Sequence, residues 1–286
     1  MGAPPTELTF LPPTSGILSR RARLAGRALD ATLEARQRML GAGRVLDRLA
    51  ESQPQRDVLV LAIYRPDRAQ AFAAEIARLR RSTRHRLRLA FGSTAGAGTE
   101  LATETVVTDL AGGKFANLNR VAEAAAPLAA DWILILDDDI ALPRRYVDRL
   151  VCVCEGLRFE LAQPALTRSS HTAWPVVRRR PALARQTAGV EIGPATVLSR
   201  AAWRELTPFP TEGMGWGLDA HWAAVARERG WRVGVVDAVP VRHTDPPAGS
   251  YDHAAARRAA LELVRDRPHL SFDESSRELA RYQELP

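Results

Sequence analysis

The chain changes its alternation of apolar and polar positions several times, and each change marks an element. Residues 1 to 15 are rich in Pro and Thr, carry no periodicity and read as a loose arm. Between residues 16 and 52, Leu18, Ala22, Ala25, Leu29 and Leu33 recur at three- and four-residue spacing among arginines. That spacing predicts one or two amphipathic helices broken near Gly41 to Gly43. Two fates stay open for them: packing on the main domain, or docking on a membrane surface or a second subunit.

From Asp57 the period changes. Val58 to Tyr64 (VLVLAIY) is a continuous apolar run of strand length, followed by a Pro-Asp start signal and a helix over Asp67 to Arg80. Leu87 to Phe91, Thr105 to Thr108 and Trp132 to Leu136 predict three more strands, with an Ala-rich helix over Lys114 to Ala125 between the last two. Strands that are apolar throughout and alternate with helices predict an α/β fold: a mostly parallel sheet covered on both faces. The second half is less regular. It offers strands at Phe159 to Leu166, Val190 to Leu198 and Arg232 to Val236, and helices at Ala201 to Glu205 and Asp219 to Arg229. Arg178 to Arg185 reads as a basic loop, and Asp266 to Pro286 as a charged tail with a terminal helix. The organisation expected is therefore an N-terminal arm with helices (1–52), one α/β domain (53–265) and a tail (266–286).

Composition narrows the function classes. With 286 residues, 46% hydrophobic and 26% charged, the chain is neither disordered nor fibrous in type. No apolar run approaches a membrane span, and the first residues lack the basic start and apolar stretch of a signal peptide. The expectation is a cytoplasmic protein, soluble or peripheral to the membrane. Two cysteines spaced C-x-C, Cys152 and Cys154, make no disulfide framework and no Cys-based zinc site. The formal net charge of +7 favours an anionic partner, whether nucleic acid, anionic lipid or a phosphorylated small molecule.

One compositional fact is sharper. Of 40 basic residues only Lys114 is a lysine, and Asn117 and Asn119 are the only asparagines. A chain otherwise emptied of both residue types has kept them within one hexapeptide, which marks that segment as functional.

Asp137, Asp138 and Asp139 follow directly on the apolar run WILIL, at the end of a buried strand where α/β sheets bind ligands. Adjacent carboxylates repel one another unless a cation is supplied, and Mg²⁺ or Mn²⁺ takes such oxygens together with a diphosphate. A solvated loop or a helix N-cap is the bland alternative.

The order of segments, a strand ending in Tyr64, then GGKFANLN opening a helix, then DWILILDDDIALP, resembles the nucleotide-sugar-dependent glycosyltransferases of the GT-A fold, family 2 most of all. The resemblance covers roughly residues 56 to 245 and implies a Rossmann-like sheet. It implies that Tyr64 and Arg65 line the nucleobase pocket, and that Lys114 and Asn119 lie near the nucleotide or order the loop above it. Asp137 and Asp138 would face the donor's ribose or sugar, and Asp139, together with Asp137, would ligate Mn²⁺ or Mg²⁺. The acidic residue usual after the second strand is replaced here by Phe91, Gly92 and Ser93.

GMGWGLDAHW resembles the Gly-Trp-Gly segment with following acidic residues at the acceptor site of GT-A galactosyltransferases. It implies that Trp216 and Gly217 meet the acceptor and that Asp219 is the base for an inverting transfer, with a helix N-cap as the alternative for Asp219. His243 stands where such enzymes often place a third metal ligand, with a structural histidine as the alternative. His171 meets a substrate or is a loop residue, and Arg178 to Arg180 with Arg185 clamp an anion or form a solvated loop.

The expected function is transfer of a sugar from a nucleoside diphosphate sugar, UDP-linked by resemblance, to a hydroxyl on a glycan, a lipid-linked acceptor or a small molecule. Two other classes remain. One is a nucleic-acid-binding protein or two-metal phosphoesterase using Asp137 to Asp139, against which stands the absence of any zinc-finger or RNA-recognition signature. The other is a non-catalytic sugar- or nucleotide-binding module.

Overall fold

A computed structural model describes residues 9–13, 16–126, 129–245 and 252–286. The chain runs α1 (Arg20–Met39), α2 (Ala42–Ser52), β1 (Asp57–Tyr64), α3 (Ala69–Arg81), β2 (Arg86–Ser93), β3 (Thr105–Val107), α4 (Lys114–Ala124), β4 (Trp132–Asp137), β5 (Ile140–Ala141) and α5 (Tyr146–Leu157). It continues through β6 (Phe159–Leu166), β7 (Ala184–Thr187), β8 (Ala195–Ser199), α6 (Arg200–Leu206), α7 (Leu218–Glu228), β9 (Arg232–His243), α8 (His253–Arg265), α9 (Phe272–Ser275) and β10 (Glu278–Tyr282). The strands form one sheet in the order β10-β7-β9-β6-β8-β4-β1-β2-β3, with β5 paired to β9 off that path. Only β8 and β7 run against the other seven strands of the path.

The apolar runs explain the centre of this sheet. β4 lies between β1 and β8, with Ile133 opposite Leu59 on one side and Leu198 on the other. Leu59, Ile133, Leu134, Ile135 and Leu136 are each about 1% exposed. Burying such a side chain stabilises the fold by roughly 1.5–3 kcal/mol each, so the centre is the rigid part of the molecule. Helix α4 packs on β1 and β2, while α5 lies against α2, β6 and β9. The strand and helix pattern read from residues 57 to 137 is found with boundaries shifted by a residue or two. The sheet is α/β and mostly parallel in strand direction, with helices on it and a helical N-terminal extension.

Three expectations change. The strand read over Val190 to Leu198 begins only at Ala195, because Gly193-Pro194 interrupts it and proline cannot donate to a ladder. The helix read in the C-terminal tail is the four-residue α9, and the following residues form an edge strand on β7, Arg281 opposite Arg185. The arm is not loose where it is described: Phe10 is fully buried, edge-on to His269 at 5.5 Å, and Thr9 O accepts from Phe272 N at 2.8 Å. Residues 1–8 and 14–15 of that arm lie outside the described residues.

Candidate functional site

The acidic cluster divides according to where the turn after β4 aims each carboxylate. Asp137 closes the strand, its N–H donating to Pro194 O at 2.8 Å and its Oδ1 lying 2.5 Å from Lys114 Nζ. Asp138 points the other way and braces the end of β1, its Oδ2 accepting from Arg65 N at 2.8 Å. Asp139 reaches across to β9, where its Oδ2 lies 2.9 Å from His243 Nε2. Its carbonyl accepts from Thr244 N at 2.8 Å, and Ile140 pairs with His243 in the β5–β9 ladder. Strand β9 thus runs past the expected Val236 and delivers His243 to the site. The Pro-rich loop beyond it, from Pro246, lies outside the described residues.

Asp137, Asp139 and His243 each offer one ligand atom, and these atoms all lie within 4.8 Å of one another. Two carboxylate oxygens and an imidazole nitrogen form a donor set that suits Mn²⁺ and accepts Mg²⁺ with added waters or phosphate oxygens. Burial would lower His243, but the hydrogen bond and charge of Asp139 outweigh it and hold the imidazole above its usual value. Burial likewise raises Asp139, yet His243 and then Lys114 bring it below the ordinary carboxylate range. Asp138, off this centre, is raised by burial and by its two acidic neighbours.

The hexapeptide Lys114 to Asn119 ties the site's segments together. Lys114 Nζ also donates to Gly193 O at 3.2 Å. Asn119 holds the backbone of Phe209 from both sides, Nδ2 donating to its carbonyl at 2.8 Å and Oδ1 accepting its N–H at 2.9 Å. Asn119 thereby orders the chain that leads into the Gly-Met-Gly-Trp-Gly segment. Gly213, Gly215 and Gly217 all adopt left-handed backbone, with φ of 62°, 85° and 89°. A Cβ on Gly215 would come 2.4 Å from the Phe115 ring, and one on Gly113 would come 2.2 Å from Gly213 O. The two glycine-rich motifs therefore interlock.

Asp219 sits in the first turn of α7 and is not its N-cap, which is Gly217 with no side-chain cap bond. The N-cap alternative is thus replaced by a longer-range contact: Asp219 Oδ1 accepts from Ile192 N. Burial pushes this carboxyl up to about 7, with nearby Glu191 adding to the rise and the Ile192 N–H opposing it. Glu191 is itself raised by burial and accepts from Thr172 Oγ1 at 2.5 Å.

The short loop Glu191 to Pro194 therefore joins the end of β4 to the start of α7, bonded to Asp219, Lys114, Asp137 and Thr172 in turn. Neither this loop nor Glu191 was found in the sequence. The Gly193-Pro194 dipeptide is the turn signal that marks it. Trp216 is half-buried, its ring edge-on to His253 at 5.5 Å.

Other expected residues lie elsewhere. Tyr64 is fully buried behind the rim, stacked on Phe72, its hydroxyl accepting from Gly98 N at 2.9 Å and bonded to Thr105 Oγ1 at 2.8 Å. At the end of β1 it is Arg65 that is exposed, near Asp138 and Asp245. His171 is a structural residue: Nδ1 accepts from Leu18 N at 2.8 Å, and the ring is 5% exposed as a residue.

The basic loop neither clamps an anion nor is solvated throughout. Arg185 lies in β7, fully buried in a bidentate pair with Asp237, and donates to Val176 O and Arg178 O. Arg179 is buried too, donating to Gln37 Oε1 at 2.8 Å.

No family model and no curated protein matches the chain. Among solved structures it is similar to GalNAc-T7 with UDP, GalNAc and Mn²⁺, with a TM-score of 0.56 and 9% identity over 74% of this chain and 48% of that one. It is also similar to the mannosyltransferase PcManGT from Pyrobaculum calidifontis in complex with GDP-Man and Mn²⁺, with a TM-score of 0.53 and 16% identity over 90% of this chain and 79% of that one. The chain thus spans about half the length of the first and most of the second. At these identities the likeness is one of fold, and the fold is of the GT-A type.

Proposed function

We propose that the chain is a metal-dependent glycosyltransferase that moves a sugar from a nucleoside diphosphate sugar to an acceptor hydroxyl. The observation that carries the proposal is the convergence of Asp137, Asp139 and His243 at the strand ends of a GT-A-type sheet. On the far side of the Glu191 to Pro194 loop stands a carboxyl raised to about 7, Asp219. Both structural neighbours named above carry Mn²⁺ and a nucleoside diphosphate group in their complexes.

Asp137, Asp139 and His243 would hold Mn²⁺ or Mg²⁺. When bound, the cation supplies Lewis-acid charge against the leaving diphosphate. Lys114 adds a fixed positive charge next to Asp137, where anionic oxygens of the donor are drawn. Arg65, at the exposed end of β1, faces the nucleoside, with Tyr64 holding the backbone behind it. Asp138 keeps the β1 and β4 ends in register. Trp216 offers the acceptor an apolar ring face, and Gly217 allows close approach of its backbone.

Asp219 takes the proton from the attacking hydroxyl, a task for which a carboxyl titrating near neutrality is suited. Attack opposite the leaving group inverts the anomeric centre. Near-normal transfer by Asp219→Asn would remove Asp219 as the base and open a retaining route in which the leaving phosphate takes the proton.

The test is calorimetric titration with a panel of nucleoside diphosphates and nucleotide sugars, UDP-linked first and GDP-linked second, in Mn²⁺, Mg²⁺ and EDTA. Binding of one nucleoside diphosphate that requires metal and disappears in Asp139→Ala supports the proposal. Absence of binding across the panel by folded protein removes it and returns the basic surface and the nucleic-acid reading to first place.

A further inference from the structure

A helix packed on a folded domain turns its apolar side inward. Helix α1 does the reverse. Its inner side is mostly polar, with half-buried Leu33 its one large apolar residue: Asp30, 7% exposed, accepts from Arg168 N at 2.9 Å, Ser169 N at 3.2 Å and Ser169 Oγ at 3.1 Å. Gln37 accepts from buried Arg179, and Gly26 lies so close to Arg168 O that a Cβ would stand 2.5 Å from it. The apolar positions Ala25, Ala28 and Ala35, with Leu24, Leu29 and Met39, are exposed instead. Leu24 is 54% exposed and Met39 81%. Leu40 follows, and Val45 and Leu49 of α2 are exposed as well. Of the ten exposed large hydrophobics among the described residues, seven lie between Ile17 and Leu49. A concentration of this kind marks an interaction surface.

Charge selects the partner. The acids of this segment are spent inward or in pairs: Asp30 is buried, Asp47 pairs with Arg149 at 2.7 Å, Glu51 with Arg145 at 2.7 Å and Glu34 with Arg38 at 3.3 Å. Among the described residues, the side chains of Arg20, Arg21, Arg27, Arg36, Arg44 and Arg48 have no hydrogen-bond or ion-pair partner. A second copy would set this cationic face against its like. An anionic bilayer complements it, taking the apolar side chains into the acyl boundary and the guanidinium groups at the phosphates. No helix among the described residues is long and apolar enough to cross a membrane, so the contact is one of lying on the surface.

We propose that α1 and α2 dock the protein on an anionic lipid bilayer through the outer face of α1. The segment that leads into α1 adjoins the candidate site. Leu18, just before α1, donates to His171, and the neighbouring Ser170 hydroxyl accepts from His243 N at 3.0 Å. Docking stands independently of what the site catalyses.

Co-sedimentation of the full chain with vesicles of phosphatidylcholine alone, or with a third of phosphatidylglycerol, tests it. Binding to the anionic vesicles is expected to be about tenfold tighter or more and to weaken with salt. Leu24→Asp with Met39→Asp is expected to weaken binding by about tenfold or more. Arg21→Glu with Arg36→Glu is expected to weaken it by about tenfold as well. These positions are exposed, so an unchanged melting temperature confirms folding, and exposed Leu279→Asp on β10 leaves binding unchanged. Folded wild type that ignores anionic vesicles, or equal binding by the Leu24/Met39 variant, overturns the proposal. So does a lipid-free dimer, seen by sedimentation velocity, that the same variant dissolves.

Discussion

The two rims of the candidate site are built by different means. The rim at the ends of β1 and β4 takes its geometry from strands: once WILIL is buried between β1 and β8, Asp137 to Asp139 have nowhere to go but the open end of the sheet. The opposite rim has no strand to fix it. Asp219, Glu191 and the Gly-Met-Gly-Trp-Gly segment are held by side chains reaching across long stretches of sequence: Asp219 to Ile192, Glu191 to Thr172, Asn119 to Phe209. One rim therefore places charge rigidly, as the leaving diphosphate of the proposed transfer would need, while the other is held by side-chain contacts between segments that can vary, as the proposed acceptor side would need.

Removing one carboxylate from each rim tests whether the two act differently. Asp139→Ala is expected to abolish metal-dependent donor binding and to lower transfer by on the order of 10³-fold or more, since the charge stabilisation of the leaving group goes with it. Asp219→Asn is expected to leave donor binding intact and lower transfer by roughly 10²–10⁴-fold. Calorimetry and initial rates on both variants separate the roles. Equal loss of donor binding in the two would mean the rims are not distinct. In the wild type, kcat/KM should rise with pH through about 7 as Asp219 loses its proton, and a profile flat from pH 6 to 8 would remove the carboxyl from that role.

Next in size is the buried pair that holds the second half of the sheet. Arg185→Met leaves Asp237 charged and fully buried, which should cost about 3–5 kcal/mol in denaturant unfolding. The double variant Arg185→Met with Asp237→Leu should recover much of that loss, because both desolvation costs vanish together. Smaller again, Asn119→Ala removes two hydrogen bonds to Phe209 and should cost roughly 1–3 kcal/mol. The loops being the softer rim, Asn119→Ala should raise the acceptor KM more than the donor KM.

What was legible in the sequence follows the same division. Apolar runs announce strands that are buried on both faces, so the β1 to β4 half and its acidic end could be read directly, and the isolated lysine and asparagines marked a real junction. The loop Glu191 to Pro194 was read as strand because Val190, Ile192 and the apolar residues from Ala195 hide the interruption at Gly193-Pro194. Glu191 had no local partner to give it away, since its contact is Thr172. Arg179 and Arg185 looked like a surface run because nothing near them in sequence shows that Gln37 and Asp237 await them. For α1 the period predicts the helix and leaves its facing open: Leu29 and Ala25 point outward, and the buried positions are Gly26 and Asp30.

The smallest effect bears on the Asp219 rim alone. Asp219 titrates at about 7 in the folded chain, against roughly 3.9 for a free aspartate. The folded state therefore holds the proton more tightly than the unfolded state does. Its contribution to stability is fully present below the unfolded value and is lost as the pH rises through the folded one. Above pH 7 the fold carries a charge that burial disfavours. Asparagine keeps a carbonyl oxygen for Ile192 N–H and never ionises. Thermal melts of Asp219→Asn should match the wild type near pH 4, rise above it as the pH increases, and level off above pH 7. Because the residue is only partly covered, the gain should be on the order of 1 kcal/mol. A variant that loses transfer yet gains stability only where the carboxyl would be charged marks a group kept for its chemistry at a cost to the fold. Melting curves that stay parallel at every pH would mean that the carboxyl is not strained by its surroundings, and the proton-acceptor role would lose its physical basis.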